Sequence, residues 1–213
     1  MQNSGFRYTC YVIFKRVIDI FGGLIGSILT LPILLLVKIA YLIKGDKDRL
    51  LFSQERIGQY GKSIKIYKIR SMVKDADAVL EKLLAEDKAA AEEYEKYKKL
   101  KNDPRITLAG RVVRRFSIDE VPQFFNVLIG NMSLVGPRPY LWREKEAMGD
   151  AYQKIITAKP GISGYWQVNG RSNTDFDERK RLEQYYCDNR NTLLDLSILF
   201  KTFYKVIKRE GAE

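Results

Sequence analysis

An apolar run near the amino terminus constrains this chain more than any other feature. Ile20 to Val37 is 18 residues long and carries no charge. As a straight helix it would extend about 27 Å, slightly less than the roughly 30 Å hydrocarbon core of a bilayer. The run is longer than the apolar region of a cleavable signal peptide, and no small-x-small cleavage pattern follows it. It therefore predicts a permanent membrane anchor.

A proline and two basic flanks indicate how this anchor meets the membrane. Pro32 lies inside the run, where it removes a backbone hydrogen bond and predicts a kink. Basic residues favour the cytoplasmic side of a membrane. They stand on both sides of the run, at Arg7, Lys15, Arg16, Lys38, Lys44, Lys47 and Arg49. A re-entrant helix hairpin within residues 1–50 satisfies both flanks, and a kinked spanning helix is the alternative.

Composition excludes several kinds of chemistry. The 213 residues include no histidine, so Ser-His-Asp sites, Cys-His sites and His-ligated zinc are excluded. Cys10 and Cys187 are far apart in sequence, which fits neither a zinc knuckle nor a disulfide framework. The net charge of +11 predicts a negatively charged partner, and phosphate is the usual one. Because no nucleic-acid recognition motif is evident, we do not expect a nucleic-acid partner.

Residues 51–213 have the pattern of a helix-rich α/β domain. The alternation between Leu51 and Met72 predicts a hairpin, and the mixed charges of Lys74 to Lys101 predict one long helix or a helix pair. Further elements are predicted as helices over 108–115 and 121–128 and a short strand from Tyr165 to Val168. A last amphipathic helix, Leu193 to Arg209, either lies in the membrane interface or faces the core.

An acidic pair is the first candidate for chemistry. Ser117 and Glu120 match the capping box S-x-x-E, which predicts a helix N-terminus. The competing interpretation is that Asp119 and Glu120, beside Arg114 and Arg115, hold a divalent cation and phosphates, and an aspartate can also attack phosphorus. The two interpretations are compatible.

Two arginines are candidates for binding phosphate. Arg138 stands between Pro137 and Pro139, and a rigid backbone spends less entropy in presenting a guanidinium to phosphate. The alternative is a turn arginine paired with Glu144. Arg171 follows a glycine that allows close backbone approach to a ligand, and its alternative is a plain glycine turn.

Several long motifs together resemble the bacterial sugar transferase family, the monotopic polyprenyl-phosphate phosphoglycosyl transferases. They are FKRVID, KIYKIRSM, DPRIT, RRFSIDEVPQFFNVLIGNMSLVGPRP, KPGISGYWQVNGR and LLDLSILFKTFYKVIKREGA. The resemblance implies transfer of a sugar phosphate from a UDP-sugar to undecaprenyl phosphate, with release of UMP and Mg²⁺ as cofactor. It also implies a compact catalytic domain on the cytoplasmic face of the bacterial inner membrane, in contact with phospholipid, that starts assembly of a capsule, exopolysaccharide, O-antigen or glycoprotein glycan.

The resemblance also implies roles for particular residues. The family's Asp-Glu dyad falls on Asp119 and Glu120, which would be catalytic and hold the metal, with Asp119 forming a covalent phosphosugar intermediate. The substrate-binding positions implied are Lys68, Arg114, Pro137, Arg138, Pro139 and Arg171. Three features depart from the pattern. Leu31 stands where relatives have Ser before the proline, Asn131 stands where many have Asp, and the chain matches the short form without a preceding multi-helix region.

A non-catalytic membrane-surface adaptor is the hypothesis from another class. In that case the +11 charge would bind anionic lipid, and the acid pair would only cap a helix. Release of UMP from a UDP-sugar distinguishes the two. The sequence does not identify the sugar, and a homo-oligomer is possible.

Overall fold

The computed structural model describes residues 5–170 and 174–208. The helices in these ranges are α1 Gly5–Ile43, α2 Ala76–Glu86, α3 Lys88–Tyr97, α4 Leu108–Arg115, α5 Gln123–Ile129, α6 Lys145–Met148, α7 Ala151–Ile155, α8 Tyr165–Asn169, α9 Phe176–Asn189 and α10 Thr192–Lys208. The strands are β1 Leu51–Ile57, β2 Ser63–Ile69, β3 Ser133–Val135 and β4 Gly161–Ser163. The protein is therefore helix-rich, as predicted, with a long apolar helix at the amino end.

The four strands form two small sheets. β1 and β2 pair antiparallel, with Leu51 opposite Ile69, which confirms the predicted hairpin. β3 and β4 pair in parallel, with Ser133 opposite Gly161. A side chain at Gly136, just after β3, would overlap the backbone around Lys159, so only glycine lets the two segments approach this closely. This contact fixes the start of the segment that carries Arg138.

Helix α1 packs closely against α5. Side chains at Gly23 and Gly26 of α1 would overlap α5 residues, so the two helix backbones meet at these glycines. The Arg16 guanidinium donates hydrogen bonds to the carbonyls of Val127 (2.9 Å) and Leu128 (3.0 Å) near the end of α5. The Val127 carbonyl also accepts the Gly130 amide (3.0 Å), and the last carbonyls of a helix have few backbone partners, so the arginine adds hydrogen bonds and a favourable charge at this helix end.

Both ends of α1 also touch the rest of the protein. Near the amino-terminal end of α1, the Tyr11 hydroxyl donates to Asp195 (3.0 Å), and the Lys15 ammonium lies 2.7 Å from the same carboxylate. Near the carboxy-terminal end, the Tyr41 hydroxyl donates to the Arg70 carbonyl at 2.7 Å. α1 runs unbroken through Pro32, so the kink, the re-entrant path and the boundary between residues 1–50 and 51–213 stay predictions.

The outer face of α1 is apolar and uncovered by protein. Exposed large apolar side chains follow it from end to end, at Phe6, Val12, Ile13, Phe14, Val17, Ile20, Phe21, Leu24, Ile25, Ile28, Leu29, Leu31, Leu35, Leu36, Ile39, Leu42 and Ile43. Two other helices also carry exposed large apolar side chains, α10 with Leu193, Phe200, Phe203, Tyr204 and Val206, and α4 with Leu108 and Val112. An apolar surface of this extent marks a site of membrane or protein contact.

Among the predicted helices and strands, the structure confirms the helix pair and corrects one strand. The charged segment forms a helix pair, which divides at Asp87 where the carboxylate accepts the Ala90 amide (3.0 Å) and caps α3. The strand predicted from Tyr165 to Val168 is wrong, because these residues begin α8. Aromatic and β-branched residues favour strands only where a partner strand exists, and here Val168 packs into a cluster with Tyr186 of α9. Arg209 lies outside the described ranges.

Candidate active site

The Asp119–Glu120 dyad lies in a short 3₁₀ turn, Ile118–Glu120, between α4 and α5. Ser117 adopts a left-handed backbone conformation (φ 53°) and makes no side-chain capping bond. The predicted capping box is therefore wrong. The physical reason is that no α-helix begins directly after Ser117, because the next α-helix, α5, starts at Gln123. The two acids are thus left available for other partners.

Lys68 of β2 is the direct partner of Glu120. Its ammonium lies 2.7 Å from Glu120 Oε1, and the two side chains are 25% and 36% exposed, so the pair stands at the edge of the protein surface. Burial alone would raise the pKa of Glu120, but Lys68, followed by Arg138 and Arg56, holds that pKa below its usual value. Glu120 is therefore ionised at neutral pH.

Asp119 has a different environment from its neighbour. It is 8% exposed, and no side chain in the described part of the chain donates a hydrogen bond to its carboxylate. Burial and then the charge of Glu120 raise the pKa of Asp119, against the opposing charges of Lys68 and Arg114. Its own backbone amide donates to it, but a carboxylate without a hydrogen-bonded cation keeps lone pairs free to attack phosphorus or to bind a metal ion.

The Pro137–Pro139 segment brings a third cation to this region. Arg138 is close enough to Glu120 to lower the pKa of that acid. Its Nη2 lies 3.6 Å from Glu144 Oε1, so the alternative pairing with Glu144 is present in a loose form, and 29% of the Arg138 side chain stays exposed. The guanidinium is thus able to reach a ligand. Pro137 is buried and Pro139 is half-buried.

The remaining candidates differ in how they relate to the dyad. Arg114 donates from Nε to Ser71 Oγ at 2.9 Å, and its charge lowers the pKa of Asp119, so it faces the same region. Arg171 lies outside the described residues. The described residues contain no group of three or more Asp, Glu, Cys or His side chains that suits a metal ion. Two carboxylates still fit Mg²⁺, which binds one or two carboxylates together with substrate phosphates.

Sequence reasoning missed Arg56 and Glu183. Arg56 belongs to β1 and Glu183 to α9, yet each makes a hydrogen bond to the Pro137–Pro139 segment. In the sequence, Arg56 lies 83 residues from its partner Pro139, and Glu183 lies 45 residues from its partner Arg138. In the sequence both stand among other charged residues, so no local signal separated them from ordinary surface charges.

The model of one protein family, described as bacterial sugar transferase, matches residues 10–209 of the chain. The chain belongs to this family. The match includes the dyad, Lys68 and the Pro137–Pro139 segment, and it confirms the resemblance that the sequence motifs indicated.

Named relatives of this sugar transferase act on undecaprenyl phosphate or take part in exopolysaccharide production. The undecaprenyl-phosphate galactose phosphotransferase of Salmonella typhimurium is 44% identical over 93% of this chain and 41% of its own length. The UDP-glucose:undecaprenyl-phosphate glucose-1-phosphate transferase of Klebsiella pneumoniae is 39% identical over 91% of this chain and 40% of its own. The exopolysaccharide production protein ExoY of Sinorhizobium fredii is 36% identical over 93% of this chain and 87% of its own length. The chain thus spans about two fifths of the length of the first two relatives.

Proposed function

We propose that this sugar transferase moves a sugar phosphate from a UDP-sugar to undecaprenyl phosphate and releases UMP. The observation that carries the proposal is the unpaired Asp119 carboxylate beside Glu120, with Lys68 and Arg138 around the dyad. The substrates come from the names of the relatives, which specify undecaprenyl phosphate with galactose or glucose phosphate. The product begins assembly of a polysaccharide such as a capsule or exopolysaccharide.

The proposed reaction has two displacements at one phosphorus atom. A carboxylate oxygen of Asp119 attacks the phosphorus that bears the sugar, and the bond from that phosphorus to the oxygen of UMP breaks. UMP leaves with that bonding pair, and the sugar phosphate stays on Asp119. An oxygen of undecaprenyl phosphate then attacks the same phosphorus and displaces the Asp119 carboxylate. The acceptor phosphate is largely ionised near neutral pH, so no histidine base is needed.

The surrounding side chains supply charge and orientation. We assign Arg138 to the donor phosphates, because its side chain is partly exposed and a guanidinium can bind two oxygens at once. Lys68 keeps Glu120 ionised, and Arg114 faces Asp119. Asp119 and Glu120 are the residues that would hold Mg²⁺, which would offset the charge of the phosphates when bound.

The apolar outer surface supports a location at one face of the membrane. α1 is about 58 Å long if straight, and the rest of the protein touches it near both ends, at Tyr11 and at Tyr41. A helix held in this way cannot cross the bilayer while the catalytic residues stay in water on one side. We therefore propose that α1 lies within one leaflet, with α4 and α10 at the phospholipid interface, on the cytoplasmic face of the bacterial inner membrane.

A labelling experiment tests the reaction. Full-length protein is incubated with UDP-sugars radiolabelled in the sugar, with Mg²⁺ and without acceptor. We expect label on the protein, none with Asp119→Asn, and full labelling with the exposed control Asp150→Asn. Undecaprenyl phosphate should then remove the label, and EDTA should prevent labelling.

Two results would contradict this scheme. Equal labelling and turnover in Asp119→Asn would remove Asp119 as the nucleophile. Absence of UMP release from well-folded, lipid-supplemented protein, across UDP-glucose, UDP-galactose and UDP-N-acetylated sugars, would favour the adaptor hypothesis.

A further inference from the structure

Four backbone groups of residues 137–140 form hydrogen bonds with parts of the protein that are distant in sequence. Two ties are made by backbone: the Gly161 amide donates to the Pro137 carbonyl (2.8 Å) and the Ile57 amide to the Tyr140 carbonyl (2.9 Å). The other two ties are made by side chains. These are the hydrogen bonds of Arg56 and Glu183, which come from two separate elements, β1 and α9.

Glu183 is fully buried and has one hydrogen-bonded partner among the described residues. Its Oε1 accepts the backbone N–H of Arg138 at 2.9 Å, while Oε2 has no partner. Burying a carboxylate is costly unless its charge is compensated. The charges of Arg138 and of the buried Arg179 compensate part of this cost. The carboxylate in turn binds the Arg138 amide strongly, since a charged acceptor makes a stronger hydrogen bond than a neutral one.

Arg56 is 8% exposed and also lacks a carboxylate partner in the described part of the chain. Its Nη1 donates to the Pro139 carbonyl at 3.1 Å and its Nη2 to Gln54 Oε1 at 2.6 Å. The guanidinium fork therefore links β1 to the residue that follows Arg138. A lysine cannot make both bonds in this planar geometry.

We infer that Arg56 and Glu183 are positioning residues that fix the Pro137–Pro139 segment through hydrogen bonds from β1 and α9 and thereby orient the Arg138 guanidinium towards the donor phosphates. This inference rests on the proposed function for its consequence in catalysis, though not for the loop geometry itself. Proline restricts φ at two of the three positions, so the Arg138 backbone is the part left to be held.

The charge of Glu183 makes its role testable by pH. Burial raises the pKa of Glu183 to about 7, against the lowering effect of the Arg138 amide. The charged or titratable groups around this carboxyl are Arg138 and Tyr140 from the loop and Arg179 and Cys187 on its own helix. Above pH 7 the ionised form holds the Arg138 amide most strongly.

Hydrogen exchange tests the loop without relying on activity. Because both neighbours are prolines, Arg138 supplies the only amide proton between Gly136 and Tyr140. At pH 8 we expect this amide to exchange about tenfold faster in Glu183→Gln and in Arg56→Lys than in the wild type. The exposed controls Glu178→Gln and Arg49→Lys should leave it unchanged. Wild-type exchange in both test variants, with folding verified by circular dichroism, overturns the inference whatever the enzyme does.

Steady-state kinetics test the consequence for catalysis. We expect kcat/KM for the UDP-sugar to fall about tenfold in Glu183→Gln at pH 8, and the difference from wild type to shrink towards pH 6, where both side chains are neutral. A deficit that is the same at both pH values would indicate a purely structural role and overturn the inference. Faster exchange in protein that shows no UDP-sugar turnover at all would instead reject the proposed function and keep the positioning role.

Discussion

The Arg138 side chain carries the most specific prediction at the scale of single residues. Arg138→Lys keeps the charge but cannot reproduce a two-bond grip on phosphate. We expect kcat/KM to fall on the order of 10- to 100-fold, with the fold retained because lysine keeps a positive charge opposite Glu144. Arg181→Lys, an exposed arginine on α9, is the matched control. Full activity in Arg138→Lys would exclude this guanidinium from substrate binding.

Lys68 affects the pKa values of Asp119 and Glu120, and this predicts how the activity depends on pH. Its charge lowers the pKa of Asp119 and of Glu120, so Lys68→Met should raise both. In the proposed reaction, Asp119 must be ionised to attack phosphorus. The acid limb of the pH–rate profile should therefore lie at higher pH in Lys68→Met than in the wild type. As the pH falls, the variant should lose activity before the wild type does.

The control for this measurement is Lys65→Met, three residues earlier on the same strand and exposed. We expect its acid limb to coincide with that of the wild type. If the limb of Lys68→Met also coincides, Lys68 does not control the charge of the nucleophile.

At the scale of elements, the contact between α1 and α5 depends on glycine. A side chain at Gly26 would overlap the Phe124 ring, whereas Gly5 at the start of α1 has open space. Gly26→Val should destabilise the protein by about 1–3 kcal/mol, because overpacking forces the helices apart. Gly5→Val should have little effect. Thermal unfolding in detergent measures both, and equal melting temperatures would show that the helices do not meet at Gly26.

The elements also show where sequence patterns succeed. The β1–β2 hairpin, α4 and α10 were predicted because alternation and helical spacing are visible within each segment. The strand predicted at Tyr165–Val168 failed for the opposite reason. Its aromatic and β-branched residues match a strand locally, but the pairing edge of β3 is taken by Gly161–Ser163, and the following residues turn into helix α8.

For the whole molecule, the decisive question is which side of the membrane holds each end of α1. Cys10 is exposed near the first end, Lys47 is exposed beyond the last, and Cys187 is buried. We compare native Cys10 with Lys47→Cys in a Cys10→Ser background. Both thiols should resist a membrane-impermeant reagent in intact cells and react after lysis. Labelling of either one from outside would establish a spanning helix.

The basic flank before the apolar run makes contacts within the protein as well as carrying charge. In the sequence, Lys15 and Arg16 indicated a cytoplasmic end through their charge alone. In the structure both are engaged by protein, Lys15 by Asp195 and Arg16 by carbonyls of α5. The support for a one-sided location now comes from the contacts near both ends of the helix.

The sequence by itself determined the long apolar helix, the helix-rich character and the absence of histidine chemistry, and its motifs indicated the Asp119–Glu120 pair through the resemblance to the family. These follow from periodicity, composition and contiguous motifs, which local physics makes visible. Only the tertiary structure decided that Ser117 does not cap a helix, that Lys68 pairs with Glu120, and that Arg56 and Glu183 hold the Arg138 segment. These contacts join residues far apart in the chain, and their energies depend on burial and distance, which no local pattern encodes.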